Sequence, residues 1–151
     1  MNIALHNSEY LNFVEFNITG DNDNFRRCDL ESRYLDTEIF NLFQTCFENA
    51  GKTFDYFGGT RYNSRTIIVL RNELKKNLDV WSNTNTLQDF HKLINSHFMG
   101  KAFIEALGSS DHEWQDRWKS YYQDIIKVLQ DLIELTEKCA FEERILWVIG
   151  Y

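Results

Sequence analysis

Not one proline interrupts the 151 residues of this chain. Usage near 5% would supply about seven or eight. Proline ends helices by removing an amide donor and crowding the preceding turn, and it stiffens linkers. A chain without it can run long helices and carries no rigid hinge to divide it. No internal repeat or low-complexity tract appears, so residues 1–151 are expected to form a single domain. Aromatic residues make up 15% of the chain, as twelve Phe, seven Tyr and four Trp. A chain of this size buries roughly 70% of its unfolded surface, so the expected core is large and ring-rich.

Periodicity places the elements. Ile39, Leu42, Phe43, Cys46, Phe47 and Ala50 recur at three- and four-residue steps, predicting a helix over 36–50 with Gly51 in the left-handed position after it. Residues 64–81 repeat the pattern through Ile67, Leu70, Leu74, Leu78 and Trp81, although 66–70 also reads as a strand. Thr86 opens a third helix through Leu87, Phe90, Leu93, Ile94 and Phe98, which Gly100 closes. A short apolar segment, 102–107, ends at Gly108. The clearest signal is the last: Ser110 and Glu113 fit a capping box, and the apolar stripe that follows predicts a central helix over 113–139. At the N-terminus, the apolar residues of 10–18 switch parity, predicting a bulge or a strand covered on both faces. That run ends in the turn-forming residues 19–24. Residues 54–62 read as a short strand with a turn. Residues 145–149 read as a strand able to pair with the N-terminal one, or as continued helix. The fold expected is therefore mainly α, a bundle of four to five helices with a minor β-element from the two termini.

Sixteen Lys and Arg against twenty-three Asp and Glu give a net charge of −7. Phosphate affinity comes from excess basic charge, so no direct nucleic-acid partner is expected. The longest apolar run, 145–149, is far short of the roughly 20 residues a membrane helix needs, and no membrane partner is expected. Residues 1–25 hold four acids and no Lys or Arg, unlike a signal peptide. Cys28, Cys46 and Cys139 are odd in number and far apart, as reduced thiols of a cytoplasmic protein would be.

Motifs of chemistry are missing. There is no nucleophile elbow, phosphate-binding glycine loop, Cys-x-x-Cys pair or two-His helical zinc motif, so no catalytic residue, metal or cofactor is assigned. His91 and His97 stand about 240° apart on a helix, at about 100° per residue. Asp111, His112, Glu113 and Asp116 read first as favourable acids at a helix start. Cys46, on a helical stripe, reads as a packed thiol. The basic stretch 61–76 has five bases against one acid, and reads as a solvated helix face. Contact candidates remain. Tyr56, Phe57, Arg61 and Tyr62 sit near glycines and turns, where rings are exposed and act as interface anchors. Asp21 and Asp23 in the turn, and Asp111, Glu113 and Asp116 beside Trp114, can meet a basic partner.

Size, acidity, the lack of catalytic motifs and a helical body ending in Glu-Arg-Ile-Leu-Trp-Val-Ile-Gly-Tyr (143–151) together resemble the small acidic immunity proteins of bacterial polymorphic toxin and contact-dependent growth inhibition systems. The resemblance implies a non-catalytic inhibitor that masks the active site or substrate groove of a cognate protein toxin, with a nuclease domain as one such target. A nuclease groove attracts phosphates, and an acidic surface can occupy it by the same attraction. Two other readings stay open on the residues alone: a small enzyme with a motif-free site built from His91, His97, His112 and carboxylates, and a helical module that self-associates.

Overall fold

The computed structural model describes residues 1–9, 12–51 and 53–150. Tyr10 and Leu11, from the predicted 10–18 strand, and Lys52 and Tyr151 lie outside the described residues. In chain order the elements are β1 (Phe13–Asn17), β2 (Arg33–Asp36), α1 (Thr37–Phe40), α2 (Gln44–Ala50), β3 (Gly59–Tyr62), α3 (Thr66–Ser82), α4 (Leu87–Asn95), α5 (Gly100–Ser110), α6 (Trp118–Phe141) and β4 (Leu146–Ile149). The expected mainly helical bundle of four to five helices is corrected to an α+β fold. Among the described residues, six helices hold 49% of the chain and a four-stranded antiparallel sheet holds 12%. Three of the strands, β2, β3 and β4, are only four residues long, and β2 is too short for an alternating pattern to declare it.

The sheet runs β2-β1-β4-β3, so the strands nearest the two termini form its central pair. Alternation along each strand sends side chains to opposite faces. Val14, Phe16 and Leu35, with Leu146, Val148, Thr60 and Tyr62, face the helices. There Phe16 packs on Phe40 and Phe47 at 6.3 and 5.9 Å, and the Tyr62 hydroxyl donates to the Phe47 carbonyl at 2.7 Å. The opposite face carries Glu15, Asn17, Tyr34 and Trp147, and the 19–32 loop covers it. This is why β1 is buried on both sides and why its apolar residues change parity.

Polar residues under that loop hold it down. Glu15, fully buried, accepts from the Cys28 amide at 2.8 Å and the Ser32 hydroxyl at 2.7 Å. Asn17 accepts from the Thr19 and Gly20 amides and donates to the Arg26 carbonyl at 2.7 Å. Phe25 lies against Trp147, ring centroids 4.9 Å apart.

Three helix boundaries depart from expectation. The predicted 36–50 helix is two short helices, α1 and α2, broken at 41–43; Asp36 caps the first by accepting the Glu38 amide at 2.8 Å. Gly51 is extended at φ −138, and not left-handed. Gly100 does not close α4. It opens α5, and a Cβ there would come within 1.8 Å of the Ile94 carbonyl oxygen, so only glycine lets the two helices meet so closely. The Ser110–Glu113 capping box does not form. Ser110 ends α5 with its hydroxyl on the Leu107 carbonyl, and α6 begins at Trp118. The predicted central helix is otherwise present. Ile125, Val128, Leu129, Leu132 and Ile133 of α6 are buried, and α3 packs along it. Its end is closed by Glu143 at φ 56 and an Arg144 amide to Cys139 carbonyl bond of 2.8 Å, a pattern that glycine more often serves.

Candidate functional site

The sequence-predicted contact residues fall into three separate places. The first is the loop corner over the second face of the sheet. Asp21 and Asp23 are exposed there. The Asp21 carboxylate accepts from the Asp23 and Asn24 amides at 2.8 and 2.7 Å, which holds it below its ordinary pKa. Its carbonyl accepts from the Trp147 indole at 2.8 Å. Arg61, on β3, reaches this corner by donating to the Asn22 carbonyl. Tyr62, one residue on, is 0% exposed and belongs to the core. It cannot be the contact ring expected of it.

The second place is the corner between α5 and α6. Asp111 accepts two bonds from the Arg117 guanidinium and one from the Tyr121 hydroxyl, the last at 2.7 Å. Arg117 above all holds this carboxyl well below the usual carboxylate range. Glu113 lies 3.3 Å from the same guanidinium. Much of the acidic charge predicted for a partner is therefore answered within the chain. Asp116 is exposed and, among the described residues, its side chain makes no hydrogen bond or ion pair. Trp114 is 6% exposed, packed on Phe90 and stacked on His91 at 6.2 Å, so it is not an exposed anchor.

The third place contains Tyr56 and Phe57. The 55–58 turn forms because Asp55 accepts the Phe57 amide at 3.0 Å and donates its own amide to Thr60. Tyr56 donates to the Asn41 side chain at 2.8 Å and lines a cleft of about 320 Å³ with Asn12, Asp36, Thr37, Glu38, Met99 and Ala102. Burial, with the Asp36 charge beside it, raises the Glu38 carboxyl above its ordinary pKa. Phe57 packs edge-on against Tyr56 at 4.9 Å and is 81% exposed. Phe98, the residue before Met99, is 95% exposed. Four chain segments thus meet in a cleft with acidic lining, with the bare Phe57 ring next to its Tyr56 wall. Sequence reasoning found Tyr56 and Phe57. It missed Asp36 and Glu38, read as a helix start, and Phe98, read as the end of an apolar stripe, where no local signal marks exposure.

The residues weighed for other chemistry are engaged elsewhere. His97 lies parallel to Trp81 at 6.1 Å, and burial lowers its pKa, whereas His91 lies on Trp114. The Cys46 thiol donates to the Glu73 carbonyl at 3.6 Å and is pushed up to about 12 by burial. In the basic stretch, Lys75 pairs with Glu137 at 3.2 Å and Lys76 with Glu73 at 3.3 Å. Among the described residues no group of His, Cys, Asp or Glu is arranged to hold a metal ion, and no helix is long and apolar enough to cross a membrane. No family model matches the chain, and neither a curated protein nor a solved structure is matched by it.

Proposed function

We propose that this chain is a non-catalytic protein-binding inhibitor, an immunity protein that neutralises a cognate bacterial toxin by occupying its active site or substrate groove in the cytoplasm. The observation that carries the reading is Phe57, a large ring standing 81% exposed beside the cleft lined by Asp36 and Glu38. Folding gains nothing from an exposed phenylalanine, whereas aromatic side chains of this kind anchor protein interfaces. Met99 and Phe98 extend the apolar area on the α4–α5 side. The carboxylates at the cleft suit a cationic side chain of the partner. The net charge of −7 speeds encounter with a basic surface, such as a nuclease groove.

The test is affinity capture of the tagged protein's partner from its native host, followed by assay of the captured polypeptide's own activity. The reading predicts one stoichiometric polypeptide with a toxic activity that falls to background when this chain is in equimolar excess. A captured partner whose activity is unaffected overturns the inhibitor reading.

A further inference from the structure

The two edges of the sheet are treated differently. In an antiparallel ladder, hydrogen-bonded and non-hydrogen-bonded pairs alternate, so every second residue of an edge strand turns its amide and carbonyl outward. On β2 the outward residue, ahead of Asp36 where the chain passes into α1, is Tyr34. Its groups are taken up by the chain's own N-terminal segment, through His6 amide to Tyr34 carbonyl at 2.7 Å and Tyr34 amide to His6 carbonyl at 2.9 Å. On β3 the Gly150 amide donates to the Gly58 carbonyl at 3.0 Å, and the register pairs Gly59 with Ile149 and Arg61 with Trp147. The alternation then turns Thr60 and Tyr62 toward β4 and leaves Gly59 and Arg61 facing outward. Both are exposed on the last strand of the sheet, and among the described residues neither makes a backbone bond outside the β3–β4 ladder.

We infer that the outer edge of β3 receives an extended segment of the partner protein as a fifth strand, with a carboxylate of that segment placed beside Arg61. The inference rests on the protein-binding reading above and says how the partner is held. Edges open in this way recruit strands, and native chains ordinarily blunt them, as the N-terminal segment does for β2. Charge selects the occupant. Arg61, exposed on the strand, donates to the neutral Asn22 carbonyl, and neither it nor Arg65, exposed just beyond it, makes an ion pair among the described residues. No acid lies between them in the sequence. Phe57, two residues before the strand, is exposed, and its neighbour Tyr56 lines the Asp36 and Glu38 cleft.

The experiment uses the whole protein, isotope-labelled, titrated with a blocked peptide of alternating Val and Glu and with its Val and Lys counterpart, and read by amide chemical shifts. Saturable shifts centred on Gly59 and Arg61 with the Glu peptide are expected. Arg61→Glu should weaken that peptide about tenfold and shift preference to the Lys peptide. Arg65→Glu, which disturbs no contact of the fold, should act in the same direction. Equal binding of the two peptides, shifts centred away from β3, or no shifts at millimolar peptide each overturn the inference. The probe is synthetic, so its outcome is separate from capture. A partner held at Phe57 without strand pairing would sink this inference alone, and peptide binding without any captured toxin would sink the inhibitor reading alone.

Discussion

Replacing Glu15 by alanine should cost about 3 kcal/mol. Glu15 sits mid-strand in β1 with no exposed surface, and one carboxyl oxygen serves the Ser32 hydroxyl at 2.7 Å, the Cys28 amide at 2.8 Å and, more weakly, the Asn17 side chain at 3.4 Å. Truncation leaves the buried Ser32 hydroxyl without its acceptor, at about 1–3 kcal/mol, and strips the half-buried Cys28 amide of another bond worth about 1 kcal/mol. Release from burying the carboxyl group offsets part of this, and the empty space beneath the loop adds to it. With a urea slope of about 2 kcal/mol per molar, the midpoint of unfolding falls by about 1.5 M. Far-UV circular dichroism in urea measures it, and amide exchange at Cys28 should quicken in the same variant. Glu15→Gln, which keeps the shape and an acceptor oxygen, should lose less than about half as much. An alanine variant within about 0.5 kcal/mol of the parent would show that the 19–32 loop is not held by this carboxyl group. The way that loop supports Arg61 through Asn22 would then need another explanation.

Four further outcomes are expected. Leu129→Asp puts an unpaired charge in the fully buried stripe of α6 and should abolish cooperative thermal unfolding; unchanged melting would refute the place given to α6. Tyr62→Phe removes the hydroxyl bond to Phe47 and should cost about 1 kcal/mol in urea unfolding, where no loss would mean the bond is not made. Burial lowers the pKa of His97 from its ordinary 6.5, so the unfolded chain takes up this proton first as pH falls. The contribution of His97 is complete above that value and is lost as pH drops toward the folded one. The Tm advantage of the parent over His97→Gln should therefore narrow between about pH 7.5 and 5.5, and a constant gap would contradict it. Asp116→Lys should leave Tm unchanged and slow association with the captured partner several-fold at low salt; identical rates would remove Asp116 from the steering surface.

Long periodic stretches carried their information in the sequence, and short ones did not. The stripes of α3 and α6 were legible because a helical period repeated over four or more turns has few rival explanations. The parity change in β1 was compatible with a bulge or with a strand covered on both faces, and the strand is buried on both. What covered the second face, a polar loop pinned by Glu15 and Asn17, has no local signature, since a buried carboxyl group looks like any other acid in a sequence. The Ser110–Glu113 capping box misled for a related reason. Its residues fit the motif, but Ser110 turns its hydroxyl back to the Leu107 carbonyl and Glu113 pairs with Arg117, so neither caps a helix there and α6 starts at Trp118. At the candidate site, rings next to glycines were a fair guide for Phe57 and a poor one for Tyr62. Adjacent strand positions face opposite ways, and only the register tells which side is covered. The acids of the cleft come from a helix start distant in sequence from Tyr56 and Met99, and only the fold brings them together.

The measurement that bears most directly on the account is parallel capture with the tagged parent and with a Phe57→Ala, Phe98→Ala double variant, after circular dichroism has shown the two equally folded. The account predicts that the parent retains one stoichiometric polypeptide at moderate salt and that the variant loses most of it. Equal retention by both proteins, or nothing retained by the parent, would contradict it.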